Sequence, residues 1–150
     1  MAFADGSGTR LAYIAEATEG TTPATPAFTT LRMTGESLIC EKQTVVSNEI
    51  RADGNIPDVT KVGQQVSGGF DFEMAYSTLD DALESVLCGT WATDVLVNGR
   101  DRHAFTFEKT FETGATDVFR RYLGTLVGSL SLNMTAQQIV TGNGTVLGRS

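Results

Sequence analysis

The stretch Val66-Ser-Gly-Gly-Phe-Asp-Phe-Glu-Met-Ala-Tyr76 decides the fold class. Its large apolar residues stand at every second position except 68: Val66, Phe70, Phe72, Met74 and Tyr76. A period of two gives a strand one apolar and one polar face, as in an antiparallel sheet with one face in water. The acidic residues Asp71 and Glu73 fall on the polar face. The stretch therefore predicts a half-buried β-strand.

Similar strand patterns lie on both sides of this stretch. They cover residues 28–33, 37–46, 102–110, 117–127, 129–136 and 139–147. Asn98-Gly99 predicts a turn before the first of the later strands. The last pattern closes the chain, so we expect its free edge to be covered or used in assembly, because an open edge promotes aggregation.

Residues 77–88 form the one convincing helical pattern, with apolar residues at 79, 82, 83, 86 and 87. Ser77 or Thr78 can cap the N-terminus, acidic residues in the first turn suit the helix dipole, and Gly89 ends the run. Together the patterns predict a mainly β chain. We expect an antiparallel β-sandwich or barrel with one short flanking α-helix at about 77–88.

Two stretches follow neither period. Residues 1–27 are rich in small residues and contain Pro23 and Pro26, which predicts an extended N-terminal arm. Residues 47–62 contain Asp53-Gly54 and Pro57, which predicts a long inter-strand loop. Ordered loops of this length usually have a function.

Size and charge narrow the classes of function. A chain of 150 residues with 41% hydrophobic content suits one domain, residues 1–150. Its 11 basic and 18 acidic residues give a net charge of −7, which argues against binding nucleic acid through phosphates. We see no signal peptide and no apolar run long enough for a membrane span.

No pattern in the chain is typical of catalysis or metal binding. His103 is the one histidine and has no nucleophile motif beside it, while Cys40 and Cys88 are far apart and form no metal-binding spacing. Asp53-x-Asn55-x-x-Asp58 lacks the glutamate of a calcium loop. We therefore predict no catalytic, cofactor-binding or metal-binding residue, no cofactor, and a protein that is not an enzyme.

Several segments, in this order, carry a family likeness. They are Leu11-Ala-Tyr-Ile-Ala-Glu-Ala-Thr-Glu-Gly-Thr-Thr-Pro-Ala-Thr-Pro-Ala-Phe28, Leu31-Arg-Met-Thr-Gly-Glu-Ser-Leu38, Ser47-Asn-Glu-Ile-Arg-Ala-Asp53, the stretch 66–76, Leu79-Asp-Asp-Ala-Leu83 and Ile139-Val-Thr-Gly-Asn-Gly-Thr145. In this order they resemble the tail tube proteins of long-tailed, non-contractile (siphovirus-type) bacteriophages. The likeness spans nearly the whole chain. Many relatives continue past the position of Arg149, which raises the expectation of a C-terminal continuation missing here.

The resemblance implies a structural virion protein, the major tail tube subunit, which self-assembles into stacked hexameric rings forming a hollow conduit for DNA delivery. It implies assembly in the host bacterial cytoplasm and, as partners, further copies of itself, the tape measure protein, the tail terminator and tail-tip proteins. DNA passes through without specific binding, and no membrane is involved. Contacts between subunits and rings are expected at Thr22, Pro23, Pro26, Phe28, Glu49, Ile50, Arg51, Asp53, Asn55, Ile56 and Pro57. Asp71 and Glu73 are expected to face the lumen.

Other classes of protein stay open at this point. The first is another ring-forming phage or secretion-system β-protein, such as a tail terminator or a head–tail joining protein. A monomeric carbohydrate-binding β-sandwich is a further alternative, with Trp91 as its weak support.

Overall fold

Eight strands and one helix make up the described part of the chain. The computed structural model describes residues 8–49, 58–112 and 116–149. The elements are β1 (Thr9–Ala15), β2 (Thr29–Thr30), β3 (Met33–Glu36), β4 (Ile39–Val46), β5 (Val59–Glu73), α1 (Asp80–Leu87), β6 (Phe105–Phe111), β7 (Val118–Asn133) and β8 (Thr141–Gly148). The predicted mainly β, antiparallel class with one short helix is confirmed.

The strands form one antiparallel sheet in the order β2-β1-β6-β7-β8-β5-β3, and β4 also pairs with β5. The two longest strands, β5 and β7, each change partner along their length. The first half of β7 pairs with β6 and its second half with β8. Likewise, β5 pairs with β4 at its start and with β3 at its end, while β8 lies on its other side.

The sheet curls around one aromatic and aliphatic core but its ladder does not close. The segment from β2 to β3 links its two ends, because the Leu31 N–H donates to the Leu11 carbonyl at 2.9 Å. The core side chains come from β1, β5, β6, β7 and β8 and from three leucines outside the strands: Leu11, Tyr13, Leu31, Leu38, Val66, Phe70, Phe72, Leu79, Phe105, Phe107, Tyr122, Val127 and Val146. Tyr13 and Phe105 meet edge to face with centroids 5.8 Å apart, a favourable ring geometry.

Helix α1 covers the core beside β7 and is tied there by one hydroxyl. Ser85 Oγ accepts the Val127 N–H at 3.1 Å and lies 3.3 Å from the His103 carbonyl. The helix starts later than expected: Leu79 is the N-cap, and it makes no side-chain capping bond. The predicted cap Thr78 instead donates its hydroxyl to the Ala75 carbonyl at 3.0 Å. At the other end Cys88 takes a left-handed conformation with φ 50°.

Several strand predictions differ from the structure. The predicted strand at 28–33 is interrupted at Leu31 and Arg32, between β2 and β3. β5 begins at Val59 rather than Val66, so the predicted loop at 47–62 ends at Asp58. The predicted break at Gly128 is a bulge inside a continuous β7. The final strand was expected at an edge, but β8 is interior and pairs with β5 and β7.

Candidate assembly surfaces

A polar face covers the outside of the sheet where β5, β8 and β7 run side by side. Asp71 pairs with Asn143, which pairs with Ser131 on its other side. The next row joins Glu73, Thr141 and Asn133 in the same way. Because cross-strand partners point to the same side of a sheet, each row presents its side chains together.

This polar face is uncharged except for its two acids. The third row holds Thr145 and Ser129, whose hydroxyl oxygens lie 2.7 Å apart. Asp71 and the Thr, Ser and Asn side chains of these rows are exposed, and Glu73 is half-buried. Within the three rows, all of which the structure describes, no side chain is cationic. The predicted lumen residues Asp71 and Glu73 therefore lie together on one hydrophilic surface.

A two-stranded ribbon extends past the rest of the sheet, formed by residues 41–46 of β4 and 59–65 of β5. The ribbon has no third strand because β8 ends at Gly148, opposite Val66. None of its residues is buried. A two-stranded hairpin is marginally stable alone in water, so this ribbon is a candidate for contact with another chain.

The two faces of the ribbon carry different side chains. Val46 pairs with Val59, Thr44 with Lys61 and Lys42 with Gln64, and these three pairs share one face. That face combines two exposed valines with two lysines. A bulge between Gln43 and Thr44 leaves Val62 as the extra residue, and its side chain is 58% exposed.

The segment of residues 16–28 crosses the outside of the sheet over β6 and β7 and is fixed there by Glu16. One Glu16 carboxylate oxygen accepts the Gly20 N–H at 2.6 Å. The other accepts the Thr106 hydroxyl at 2.6 Å and the Gly124 N–H at 3.0 Å. A carboxylate with three donors is a strong local anchor, so Glu16 connects this segment to β6 and β7.

The predicted contact residues Thr22 and Phe28 make contacts within their own chain. Thr22 Oγ1 lies 3.0 Å from Thr106 Oγ1. The Phe28 ring centroid is 5.3 Å from the guanidinium carbon of Arg121, whose Nε donates to buried Glu108 at 2.7 Å. The segment thus packs beside an ion pair in which Glu108 is buried and Arg121 is half exposed.

The remaining predicted contact residues divide between described and undescribed positions. Pro23 and Pro26 are half-buried in the same segment, and Glu49 is exposed just beyond the ribbon. Outside the described residues lie Ile50, Arg51, Asp53, Asn55, Ile56 and Pro57. The region expected as an arm includes an ordered sheet strand, because residues 9–15 form β1. The role of these residues between subunits stays a prediction.

Sequence reasoning missed the side chains that organise these surfaces. Glu16 stands in a stretch without period, so no local pattern marks it as an anchor. Lys109 pairs with Glu36 and thereby joins β6 to β3, the last strand in the sheet order. The alternation of Thr106, Glu108 and Thr110 with aromatic residues was a usable signal, since it placed polar groups on a second face that needed a cover.

The titratable groups form no catalytic arrangement in the part of the chain described. His103 Nδ1 is 4.0 Å from Glu84, and its other ring nitrogen is buried without a hydrogen-bond partner. Burial raises the pKa of Tyr13, and the nearby carboxylates of Asp81 and Asp80 raise it further. Among the described residues no cluster of His, Cys, Asp and Glu could hold a metal ion. Nor does any described helix have the length and apolarity to cross a membrane.

Comparison with known families bears on the protein classes that the sequence left open. A family model described as the phage tail tube protein matches residues 6–150. The chain belongs to this family. A tail tube family is a family of structural tail components, so the protein is a structural component of a phage tail and hence of a virion. No curated protein sequence matches the chain significantly.

A solved structure shares the fold of this tail tube family member. It is a chain from the cryo-electron microscopy structure of the anti-feeding prophage baseplate, which was 6-fold symmetrised. The TM-score is 0.51 at 10% sequence identity, and the match covers 95% of this chain and 89% of that chain. At that identity the likeness concerns the fold alone.

Proposed function

We propose that the protein is the major tail tube subunit of a non-contractile, siphovirus-type phage. Six copies form a ring, and rings stack into the hollow conduit through which DNA leaves the capsid. The family match supports the tail tube assignment. The number six has weaker support, from a fold that also occurs in a 6-fold symmetrised assembly. The subunit acts by surface complementarity and not by catalysis.

The observation that carries the proposal is the polar face formed by β5, β8 and β7. A conduit wall must let a polyanion slide without adhesion, and the three rows of hydroxyls, amides and two carboxylates hold no cation that could bind a phosphate. Arg10 and Arg32 lie beside Glu73, at the edge of these rows. With a net charge of −7 per chain, six copies give about forty negative charges per ring. Asp71 and Glu73 are then the acidic residues of the lumen.

The ribbon and the Glu16-anchored segment are the proposed ring contacts. The ribbon extends beyond the sheet with both faces in water, and Glu49, just beyond it, is the first residue of the predicted contact set there. Thr22, Pro23, Pro26 and Phe28 belong to the second contact, on the face above β6 and β7. Their packing on their own chain supports a rigid contact surface rather than a free arm.

The tube subunit also needs partners at each end and inside the conduit. We propose the tape measure protein in the lumen, the tail terminator at the upper end and tail-tip proteins at the lower end. Assembly takes place in the cytoplasm of the host bacterium. DNA passes through the conduit without specific binding.

A ring-forming baseplate protein is the second candidate function, favoured by the fold likeness to a baseplate chain. The two functions differ in how many rings stack. A tube subunit repeats head to tail without limit, because a heterologous contact that does not close generates an open filament. A baseplate ring stops after one or two layers.

Native mass spectrometry combined with negative-stain electron microscopy of the purified protein tests the proposal. The expected result is a six-copy ring at low concentration and hollow stacks of many rings at high concentration. Single rings at every concentration would favour the baseplate candidate. A strict monomer with no ring after addition of the partner tail-tip complex would contradict both.

A further inference from the structure

The ribbon joins the rest of the sheet at a break in the strand pairing. β3 pairs with β5 as far as Glu36, and β4 resumes the pairing at Ile39. Residues 37 and 38 between them belong to neither strand. Across from this break, Gly68 of β5 has a φ of 131°, which residues with a side chain rarely adopt. We call residues 36–38 the ribbon root, because the ribbon can bend there relative to the sheet.

Side chains from β6 and β7 hold the ribbon root from across the core. The Tyr122 hydroxyl of β7 donates to the Leu38 carbonyl at 2.9 Å, and both residues are buried. Lys109 of β6 pairs with the carboxylate of Glu36, and both side chains are largely buried. The other oxygen of that carboxylate accepts the Leu38 N–H at 3.1 Å. Both backbone polar groups of Leu38 are therefore bonded to side chains and not to a neighbouring strand.

The ion pair at the root is better explained by geometry than by stability. Removing Lys109 and Glu36 from water costs about as much free energy as their attraction returns, so a buried pair adds little net stability. It does fix positions, because the two charged groups must meet at one place. The Phe111 ring, with its centroid 4.6 Å from Lys109 Nζ, helps to hold the ammonium group there.

We infer that Tyr122, Lys109 and Glu36 form a clasp that fixes the direction in which the ribbon leaves the sheet. Without the clasp the ribbon bends at its root, where β5 alone continues unbroken. The clasp acts within one chain, whatever the ribbon contacts in another molecule. A ribbon with one fixed direction loses less entropy when it binds. This consequence for assembly rests on the proposed function, whereas the clasp itself does not.

The distance between two spin labels measures the direction of the ribbon. One label is attached at Val45→Cys in the ribbon and the other at Phe119→Cys on β7, both at exposed positions. The native Cys40 and Cys88 are replaced by alanine in this background. The labelled chain is diluted into unlabelled chain at low concentration, so that pulsed electron paramagnetic resonance reads distances within one free subunit. An intact clasp is expected to give one narrow distance distribution.

Removing one hydroxyl tests the clasp. Tyr122→Phe should broaden the distance distribution by about twofold, because the ribbon can then bend at its root. Ser85→Ala is the matched control, since it also removes a buried hydroxyl that holds a backbone group, the Val127 N–H, but lies on α1. Its distribution should stay narrow. A Tyr122→Phe distribution as narrow as that of the intact clasp, or equal broadening by Ser85→Ala, would overturn the inference.

Removing the ion pair separates direction from stability. Lys109→Met with Glu36→Gln removes both charges and keeps an oxygen that can accept the Leu38 N–H. We expect a melting temperature close to that of wild type, because replacing a buried pair as a unit is often neutral. We expect the same broadened distance distribution as in Tyr122→Phe. A folded double variant with a narrow distribution would overturn the role assigned to the ion pair.

These measurements are independent of tube formation. Wild-type tubes together with narrow distributions in all variants would contradict the clasp and leave the proposed function in place. Broadened distributions in a protein that forms no ring and no tube would contradict the proposed function and leave the clasp in place. Circular dichroism of each variant ensures that a broad distribution reflects a bent ribbon and not an unfolded chain.

Discussion

At the scale of single residues, Glu16 fixes the segment of residues 16–28 to the sheet, although its sequence context does not indicate this role. Its carboxylate accepts three hydrogen bonds, from Gly20, Thr106 and Gly124. Nothing in the surrounding sequence predicts this, because the donors are 4, 90 and 108 residues away along the chain. The polar face, in contrast, follows from the alternation around Asp71 and Glu73, because a period of two fixes which side chains share a side.

Replacing Glu16 should loosen the segment of residues 16–28. We expect Glu16→Ala to lower the free energy of unfolding by about 1–3 kcal/mol, since it leaves the hydroxyl of buried Thr106 and the N–H of buried Gly124 without this acceptor. Urea denaturation measures the change. Glu19→Ala removes the same charge at an exposed position and should cost less than about 0.5 kcal/mol. Equal costs for the two variants would contradict the anchor role.

Gly144 sits directly beneath an aromatic ring. A Cβ at this position would lie 2.6 Å from the Phe70 ring, closer than atoms in a packed core can approach. Gly144→Ala should therefore lower the free energy of unfolding by about 1–3 kcal/mol. At Gly63 in the ribbon the nearest atom is a flexible Gln43 side-chain oxygen at 3.6 Å, so Gly63→Ala should be neutral or slightly stabilising. A melting curve for each variant measures the two changes in stability, and equal changes would contradict the close contact at Gly144.

Tyr13 should make the free energy of unfolding depend on pH in the alkaline range. Its pKa is raised in the folded chain by burial and by Asp81 and Asp80. The neutral phenol therefore contributes stability that is complete below about pH 10 and is lost as pH rises above it, because the unfolded tyrosine ionises first. We expect Tyr13→Phe to lose less stability than wild type between about pH 9 and 11 in urea titrations. Tyr76→Phe, at a fully exposed position, should behave as wild type, and a Tyr13→Phe curve parallel to wild type would exclude this linkage.

At the scale of elements, alternation predicted the buried strands well and the exposed ones poorly. The pattern at 66–76 identified the part of β5 that faces the core. The part in the ribbon was predicted as loop, because both of its faces are in water and its sequence therefore needs no alternation of apolar and polar residues. Gly128 suggested a strand end, yet a bulge absorbs the extra residue within β7. The interior position of β8 was unpredictable from local pattern, because it depends on pairing with β5, which is distant in sequence.

The connection between the two ribbon strands, residues 47–58, is the segment whose removal should separate folding from tube growth. We expect that replacing residues 47–58 with an Asn-Gly turn leaves the melting temperature nearly unchanged, since the hairpin keeps its register between Val46 and Val59. The shortened protein should still form rings but not long tubes. Electron microscopy of the variant and of the wild type measures tube length. Tubes of normal length would show that residues 47–58 are not needed for contact between rings.

At the scale of the whole molecule, the net negative charge and the polar face both serve to keep DNA from adhering to the lumen. The net charge of −7 predicts that assembled protein binds no DNA at physiological salt. Its distribution matters as well as its sum, because the polar face carries two acids and no base on its three rows. A lumen wall of this kind repels phosphate without offering a site that could hold it.

One charge change on the polar face should therefore make the tube retain DNA. We expect Asp71→Lys to give tubes that bind a short duplex measurably in fluorescence anisotropy at low salt, with affinity that falls as salt rises. Asp94→Lys alters the net charge equally at an exposed position outside the three rows and should bind more weakly. If the two variants bind alike, Asp71 is not a lumen residue.

The central claim is that this chain builds a tube whose lumen is the polar face. Cryo-electron microscopy of tubes grown from the purified protein tests it most directly, at a resolution that follows the backbone. The account predicts stacked six-copy rings with the rows of Asp71 and Glu73 toward the axis and the ribbon of each subunit in contact with the next ring. A tube with this face on its outer surface, or an assembly that ends at one ring, would contradict it.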